Sequence, residues 1–376
     1  MAFFDDITSI FQSNIFTAIW FLLSIVIMVF VYYSYRKSIT NIEQRIVELE
    51  NMANEAKKTT IQTAKDLGKP EKDPTPTINE IVELFVIPPV SADPRGILKK
   101  LDHLIEGTEQ RFKEVVKIVA PNADSENQAN IIMTMKGAIG IYTLAKFARH
   151  LWETLRKAST MQAVFMLQTI LPQFRKIANG YLEGTKALSL GKPLGDSIGA
   201  MIALHLIGNA PTTEIVEDTV AAKKTIENRE VIIIKAKGPG GRVGKPGEAV
   251  EKIVKENEKI ARIITIDAAM KLEGEKTGTV AEGIGVALGD PGPQKARIEN
   301  IATKRRIPLD AIAIKIGIEE AVMPMKKEII EAIKPTLEMV KRAIYRAPEG
   351  NIVVVVGVGN TVGVGQQMAQ NEGKQN

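Results

Sequence analysis

"RIITIDAAMK" (residues 262–271) is the stretch on which the reading of this chain turns. Ile263, Ile264 and Ile266 form a β-branched run with no polar face, the pattern of a strand buried on both sides. Asp267 then puts an ionisable group where such a run should stop. In an open α/β sheet, ligands bind beyond the carboxyl ends of the strands, so an acid at that point marks a site. The plainer role is a cap on the next turn or helix.

Similar runs lie on either side. "TTEIVEDTV" (212–220), "REVIIIKAKG" (229–238), "LDAIAIKIG" (309–317) and "NIVVVVGVG" (351–359) read as strands, and 247–260, 293–306 and 323–344 as helices. Strands that are nearly all apolar and alternate with helices predict an α/β fold, a mostly parallel sheet with helices on both faces. Its crossovers would gather Asp267, Gly238–Gly244 and Gly357–Gly365 on one edge.

Upstream the texture is helical from 78 to 210, and Thr77-Ile-Asn-Glu80 has the spacing of a capping box. "GKPEKDPTPT" (68–77) reads as a linker. From 38 to 67, Ile42, Ile46, Leu49, Ala53, Ala56, Thr60, Thr63 and Leu67 recur at alternating spacings of four and three, a heptad seam that weakens after Leu49. Such a seam serves either a protein partner or second copy, or packing against its own chain.

From Ile7 to Tyr35 no residue is charged, and "IFTAIWFLLSIVIMVFVYYSY" (15–35) is long enough to cross a bilayer as a helix. Trp20 and the tyrosines 32, 33 and 35 suit the interfaces. The acidic start (Asp5, Asp6) and the length of the run argue against a cleaved signal peptide. Arg36, Lys37 and Arg45 on the other flank place the amino terminus outside and the bulk of the chain in the cytoplasm, as a single-pass protein of the cell membrane. The expected domains are an anchor (1–37), a stalk helix and linker (38–77), a helical region (78–210) and an α/β domain (211–376).

Composition narrows the chemistry. The chain has no cysteine, which excludes disulfides, thiolate metal sites and a Cys nucleophile. No histidine follows His205, so a His-based triad or zinc site in the carboxyl half is not expected. A charge of +5 on 376 residues, with no long Lys/Arg run and no nucleic-acid-reading motif, does not point to a nucleic-acid partner.

The glycine-rich segments have the look of phosphate sites without their full motifs. "KGPGGRVGKPGEA" (237–249) follows a strand and precedes a helix, but it has Pro239 where a P-loop needs glycine and Pro246 where it needs Ser or Thr. Amides around Gly238, Gly240 and Gly241 could still face an anion. "VVVVGVGNTVGVG" (353–365) spaces Gly357, Gly359 and Gly363 one residue too widely for the common dinucleotide fingerprint. It reads as a flexible turn, or as a loop (Gly357, Gly359, Asn360) lining a site built by other segments. In "PLGDSIGAMIA" (193–203), Asp196 precedes an apolar helix and reads first as its N-cap.

These motifs carry a resemblance. Residues 261–322 resemble the central block of the spore germination proteases, where a strand ends in Ile-Asp-Ala. "PLGDSIGAMIA" is similar to the Gly-Asp-Asp-Gly-Ile-Gly motif of the hydrogenase-maturation proteases, with Ser197 replacing the second acid. "VVVVGVGN" (353–360) looks like their first strand. The order differs, so this correspondence implies a circular permutation and pairs Asp267 with Asp196. A rival correspondence needs no permutation and puts Glu248 in the second acid's place. As a whole, the chain resembles an archaeal membrane-anchored family defined as a domain of unknown function.

The protease resemblance implies a phosphorylase/hydrolase-like α/β fold with acidic working groups: Asp267, with Asp196 or Glu248. Two such carboxylates either split their pKa values for acid–base work on water and a leaving amine, or hold a divalent cation through hard oxygens. The alternative is a non-enzymatic scaffold tethered to the bilayer, its glycine loops holding an anion or a partner.

Overall fold

The computed structural model describes residues 2–89, 96–158, 160–289 and 292–368, with side chains from Phe16 onward and none at Ala158. The side chains of the acidic flank (Asp5, Asp6) and the Asp290-Pro291 pair of the protease-like block lie outside what is described. In chain order the elements are α1 (Ala2–Gly68), α2 (Thr75–Val82), α3 (Ile97–Val119), α4 (Ser125–Ala158) and α5 (Met161–Ser189). A 3-10 turn (Gly195–Ser197) leads into α6 (Ile198–Ile207). Then come β1 (Thr212–Val216), β2 (Thr219–Ile226), β3 (Arg229–Ala236), α7 (Pro246–Glu256), β4 (Ile260–Met270), β5 (Val280–Ile284), α8 (Pro293–Arg305) and β6 (Leu309–Ile316). Helices α9 (Ile318–Val322), α10 (Lys327–Glu331) and α11 (Ile333–Tyr345) precede β7 (Ile352–Gly357).

The chain forms two compact units. One joins Met1–Asn51 to Leu144–Arg175. Within it the apolar run of α1 has no cover: every residue from Phe16 to Tyr33 is exposed. Further along, the seam residues Ile42, Ile46 and Leu49 are buried. Arg149 of α4 grips Glu50 with two hydrogen bonds of 2.8 Å, and Arg175 of α5 holds Glu48 at 2.7 Å. Among the described residues α4 is also long and apolar enough to cross a membrane, which the sequence reading did not anticipate. Its apolar window is 44% buried, and Trp152 is packed away, as in a core helix.

The second unit joins Met52–Thr143 to Lys176–Asn376. Here the rest of the seam, Ala53, Ala56 and Thr60, is buried, and the Thr60 hydroxyl donates to the carbonyl of Thr134. The seam is thus occupied within the chain. The expected capping box at Thr77 does not form. α2 starts two residues earlier, because Asp73 accepts the amide and hydroxyl of Thr75 and so begins the turn there.

The sheet has seven strands in the order β1-β2-β3-β7-β4-β6-β5. The pairs β3–β7, β7–β4 and β4–β6 are parallel, whereas β1–β2, β2–β3 and β5–β6 are antiparallel. The expectation of a mostly parallel sheet is corrected to a mixed one: a parallel core of four strands with antiparallel edges. Two local features hid this. The stretch 212–220 is two strands joined at Glu217-Asp218, where Asp218 has φ 55°, and β5 lies inside the glycine-rich segment.

Helices cover both faces. Ile198, Ile202 and Ala203 of α6 and Val340, Ala343 and Ile344 of α11 pack with Ile233, Ile264, Ile266 and Val355. On the other face Val250 and Ile253 of α7 and Ile298 and Ile301 of α8 pack with Ile232, Ile234, Ile263 and Val354. α6, expected in the helical region, is therefore part of the sheet layer. The single helix expected at 323–344 is broken, because Met323–Met325 is extended and pinned to Pro193–Gly195. The amide of Gly195 donates to Met323 O, and that of Met325 to Pro193 O, each at 3.0 Å. That bridge fixes the turn carrying Asp196.

Candidate functional site at the sheet edge

β7 leaves the sheet at Gly357, opposite Ile266, while β4 continues to Met270 alongside β6. Asp267 therefore does not end its strand, as the sequence suggested. It sits where its neighbour on one side has stopped. Alternation puts Asp267 on the face of Ile263, away from Ile264 and Ile266. Asp267 is 4% exposed. Its Oδ1 accepts the Ala268 amide at 2.7 Å and its Oδ2 the Gly289 amide at 2.8 Å.

Asp196 reaches the same place from the turn before α6. It caps no helix: its Oδ2 accepts the amide of Asn360 at 2.9 Å. Two close contacts make this possible. A β-carbon on Gly199 would lie 2.3 Å from Val358 O and 2.5 Å from Ile266 O, so α6 rests directly on the ends of β7 and β4. Gly359 has φ 115° and lies so near Asp196 that a β-carbon would be 2.0 Å from its carbonyl oxygen. Only glycine fits this conformation and this space.

The two carboxyls interact. Burial raises the pKa of Asp267 well above the usual carboxylate range, and the nearby charge of Asp196 raises it further, against the opposing pull of the two amides. Burial likewise raises Asp196, against the pull of the Asn360 amide. Two like charges in a desolvated corner titrate as a pair, and the first proton is retained well above the pH at which a free aspartate loses it.

The structure therefore brings together Asp196, Asp267, Gly357, Gly359 and Asn360. It puts Glu248 elsewhere. That side chain lies at the start of α7, 3.9 Å from Lys245, and lines a surface groove with Glu251, Lys252, Lys255 and Arg297. The anion site expected at Gly238, Gly240 and Gly241 is corrected as well. The Gly240 amide donates to Glu126, and the Gly241 amide to Asn130 Oδ1 at 2.8 Å. Gly238 is packed against Val364 O. At the start of α7, the amides of Gly247 and Glu248 both donate to Gln294 Oε1. An anion would find these donors already taken.

Glu126 and Arg242 were not singled out from the sequence. Arg242, with its side chain 11% exposed, bonds Glu126 at 2.7 Å and Asp218 at 3.1 Å. Glu126→Ala will leave the Gly240 amide and one arm of Arg242 without an acceptor. We expect a loss of about 2 kcal/mol in denaturant unfolding, with faster hydrogen exchange at Gly240.

Lys235 was also missed, although a lysine inside "VIIIKA" is itself the signal. It is 1% exposed, pairs with Gly357 across β3–β7, and donates to Ala236 O at 3.0 Å. Burial lowers its pKa to about 8. The folded chain thus loses this proton earlier than the unfolded chain, so the lysine destabilises at neutral pH, and the penalty fades as pH rises toward 10.5. Lys235→Met is expected to stabilise by roughly 3 kcal/mol at pH 7, and by much less at pH 10, in paired unfolding curves.

Residues 15–191 match the family model described as the N-terminal domain of the protein of unknown function DUF1512, and residues 194–365 match the model described as its C-terminal domain. The chain belongs to the DUF1512 family. The boundary between the two models falls just before Asp196, so the dyad, α6 and the sheet all lie within the DUF1512 C-terminal domain. No curated protein matches the chain.

Proposed function

We propose that this is a membrane-anchored hydrolase of the peptidase type, with Asp196 and Asp267 as its working pair. The observation that carries the reading is a pair of desolvated aspartates, both raised by burial and Asp267 raised further by Asp196, beside a glycine loop at the carboxyl edge of the parallel strands. The reading requires the pair to hold one proton at neutral pH, the direction in which burial and Asp196 move Asp267. The ionised member takes a proton from water as its oxygen adds to the substrate carbonyl. The protonated member gives its proton to the leaving nitrogen as the C–N bond breaks. Asn360 Nδ2, buried without a hydrogen-bond partner among the described residues, supports a role as donor to the developing oxyanion.

The neighbourhood of Asp196 and Gly357–Asn360 favours the permuted correspondence with the hydrogenase-maturation proteases over the one using Glu248. Among the described residues no three His, Cys, Asp or Glu side chains gather as a metal site. Two carboxylates supply few of the oxygens that a hard divalent cation takes, so proton sharing suits the pair better. α1 serves as the anchor through 15–35, with the amino terminus outside and the bulk of the chain in the cytoplasm, the side favoured by Arg36, Lys37 and Arg45.

The test is an infrared titration of the full chain in vesicles, run with a mixture of unstructured peptides as substrate. A protonated carboxyl band at pH 7 that Asp267→Asn removes, with peptide cleavage lost in the same variant, supports the reading. No such band at pH 7 means that both acids are ionised, and the dyad fails. One observation favours the alternative, a non-enzymatic scaffold: Asp267 already staples Ala268 and Gly289, and Asp196 staples Asn360. Under that reading the band is present but Asp267→Asn changes no turnover.

A further inference from the structure

The hairpin between α4 and α5 carries a feature that the dyad does not use. Met161, Phe165 and Met166 open α5, and all three are exposed, Phe165 by 70%. Gln162 and Thr169 share the exposed surface, while Ala163, Val164 and Leu167 face inward. The hairpin segment 144–175 carries five basic residues, Lys146, Arg149, Arg156, Lys157 and Arg175, against one acid, Glu153. Of these, Arg156 and Lys157 are exposed at the end of α4, beside the three apolar side chains.

Where this tip lies along α1 follows from the ion pairs. Arg175 of α5 meets Glu48, and Met161 is fourteen residues earlier, about 21 Å along a helix. Counting back equally from Glu48 reaches Ser34. Arg149 of α4 meets Glu50, and Ala158 lies nine residues on, at the level of about Asn41. Burial on α1 gives the same answer independently. From Phe16 onward, the first side chains that are not exposed are Ser34 and Tyr35, followed by Ser38 and Ile39. The tip therefore lies beside residues 34–41, against the cytoplasmic end of the apolar run 15–35.

We propose that this tip is a second membrane contact, in which Met161, Phe165 and Met166 enter the interface of the leaflet where α1 emerges. The inference rests on α1 being the anchor. Charge supports it: Arg36 and Lys37 on α1 and Arg156 and Lys157 on α4 are all exposed, Arg156 also pairing with Glu153 at 3.4 Å, and anionic head groups attract such residues beside an apolar run. An amphipathic segment with apolar side chains beside Lys and Arg is the composition of an interfacial helix. Together with α1 it makes two attachment points, which set the orientation of the hairpin to the membrane surface.

The absence of cysteine makes the test direct. The full-length variants Phe165→Cys, Ile25→Cys and Leu272→Cys each give one spin-label site, in vesicles of equal parts phosphatidylcholine and phosphatidylglycerol. Leu272, 65% exposed in the other unit, reports water. Collisions with oxygen and with a water-soluble nickel chelate are compared. The proposal expects the labels at 25 and 165 to favour oxygen and the label at 272 to favour nickel. If 25 favours oxygen while 165 matches 272, the hairpin contact is wrong and the anchor stands. If 25 also matches 272, the anchor and the contact fall together.

Discussion

Asp196→Asn is expected to raise the thermal midpoint at pH 7 while sharply lowering the proposed peptide turnover. Both aspartates titrate above their ordinary range in the fold, so the folded protein keeps a proton that the unfolded chain has released. Stability contributed by the pair is complete in acid and is lost as pH rises through the elevated folded values. Asparagine removes the repulsion and keeps an oxygen for the amide of Asn360. The gain should be clear at pH 7 and should vanish below about pH 4, where the free carboxyl is itself protonated. Loss of one acid–base member should lower turnover about 10²- to 10⁴-fold. Unfolding at both pH values, with peptide turnover, checks this. A lower midpoint at pH 7 would mean that the Asn360 bond outweighs the repulsion and that the pair is not poised. Asp267→Asn should differ in sign. It can accept only one of the two amides that the carboxylate now holds, and the other faces an N–H group. We expect it to fold with about 1–3 kcal/mol less stability. Asp196, which destabilises its own fold, is in this respect characteristic of a functional site.

The second large effect concerns Gly199. A β-carbon there meets two backbone oxygens, Val358 O and Ile266 O, and neither can rotate away as a side-chain end would. Gly357 is its counterpart: a β-carbon would lie 2.4 Å from Gly199 O and 2.5 Å from the Ala203 β-carbon. Gly199→Ala should push α6 off the sheet at a cost of about 3 kcal/mol, at the upper end of overpacking effects. Because α6 continues from the turn that holds Asp196, the infrared carboxyl band at pH 7 should disappear even where the variant folds. Gly283→Ala is the control, since nothing lies within 4 Å of that position. It should change unfolding by no more than about 0.5 kcal/mol. Equal effects at 199 and 283 would mean that the contact of α6 with the strand ends carries no strain.

Much of the fold was legible because its signals are local. β3 and β7 are runs of β-branched residues and β6 alternates isoleucine with alanine or lysine, patterns that mark these strands almost to the residue. The errors fell where neighbours override local preference. The stretch 323–344 has a helical pattern, but Met323–Met325 is drawn into an extended bridge with Pro193–Gly195. β5 (VAEGI) is only five residues long and is interrupted by Glu282 and Gly283, so its apolar pattern is too short to read as a strand. It is a strand because β6 offers it an edge.

The sequence by itself determined the apolar run at the amino end, the central strands, and Asp267 and Gly357-x-Gly-Asn360 as residues that a strand edge would display. These follow from hydrophobic periodicity and from the conformational range of glycine, which act over a few residues. Only the tertiary structure decided which acid joins Asp267. β7, last in the chain, inserts between β3 and β4, and its exit loop carries Asn360 across to Asp196, while Glu248 turns away to Lys245. The same holds for the glycine loop after β3, whose amides look free in the sequence and are filled by Glu126 and Asn130 from α4. Strand order and the filling of a loop depend on segments far apart in the chain, and their free energy comes from burial and hydrogen bonds that exist only once those segments have met.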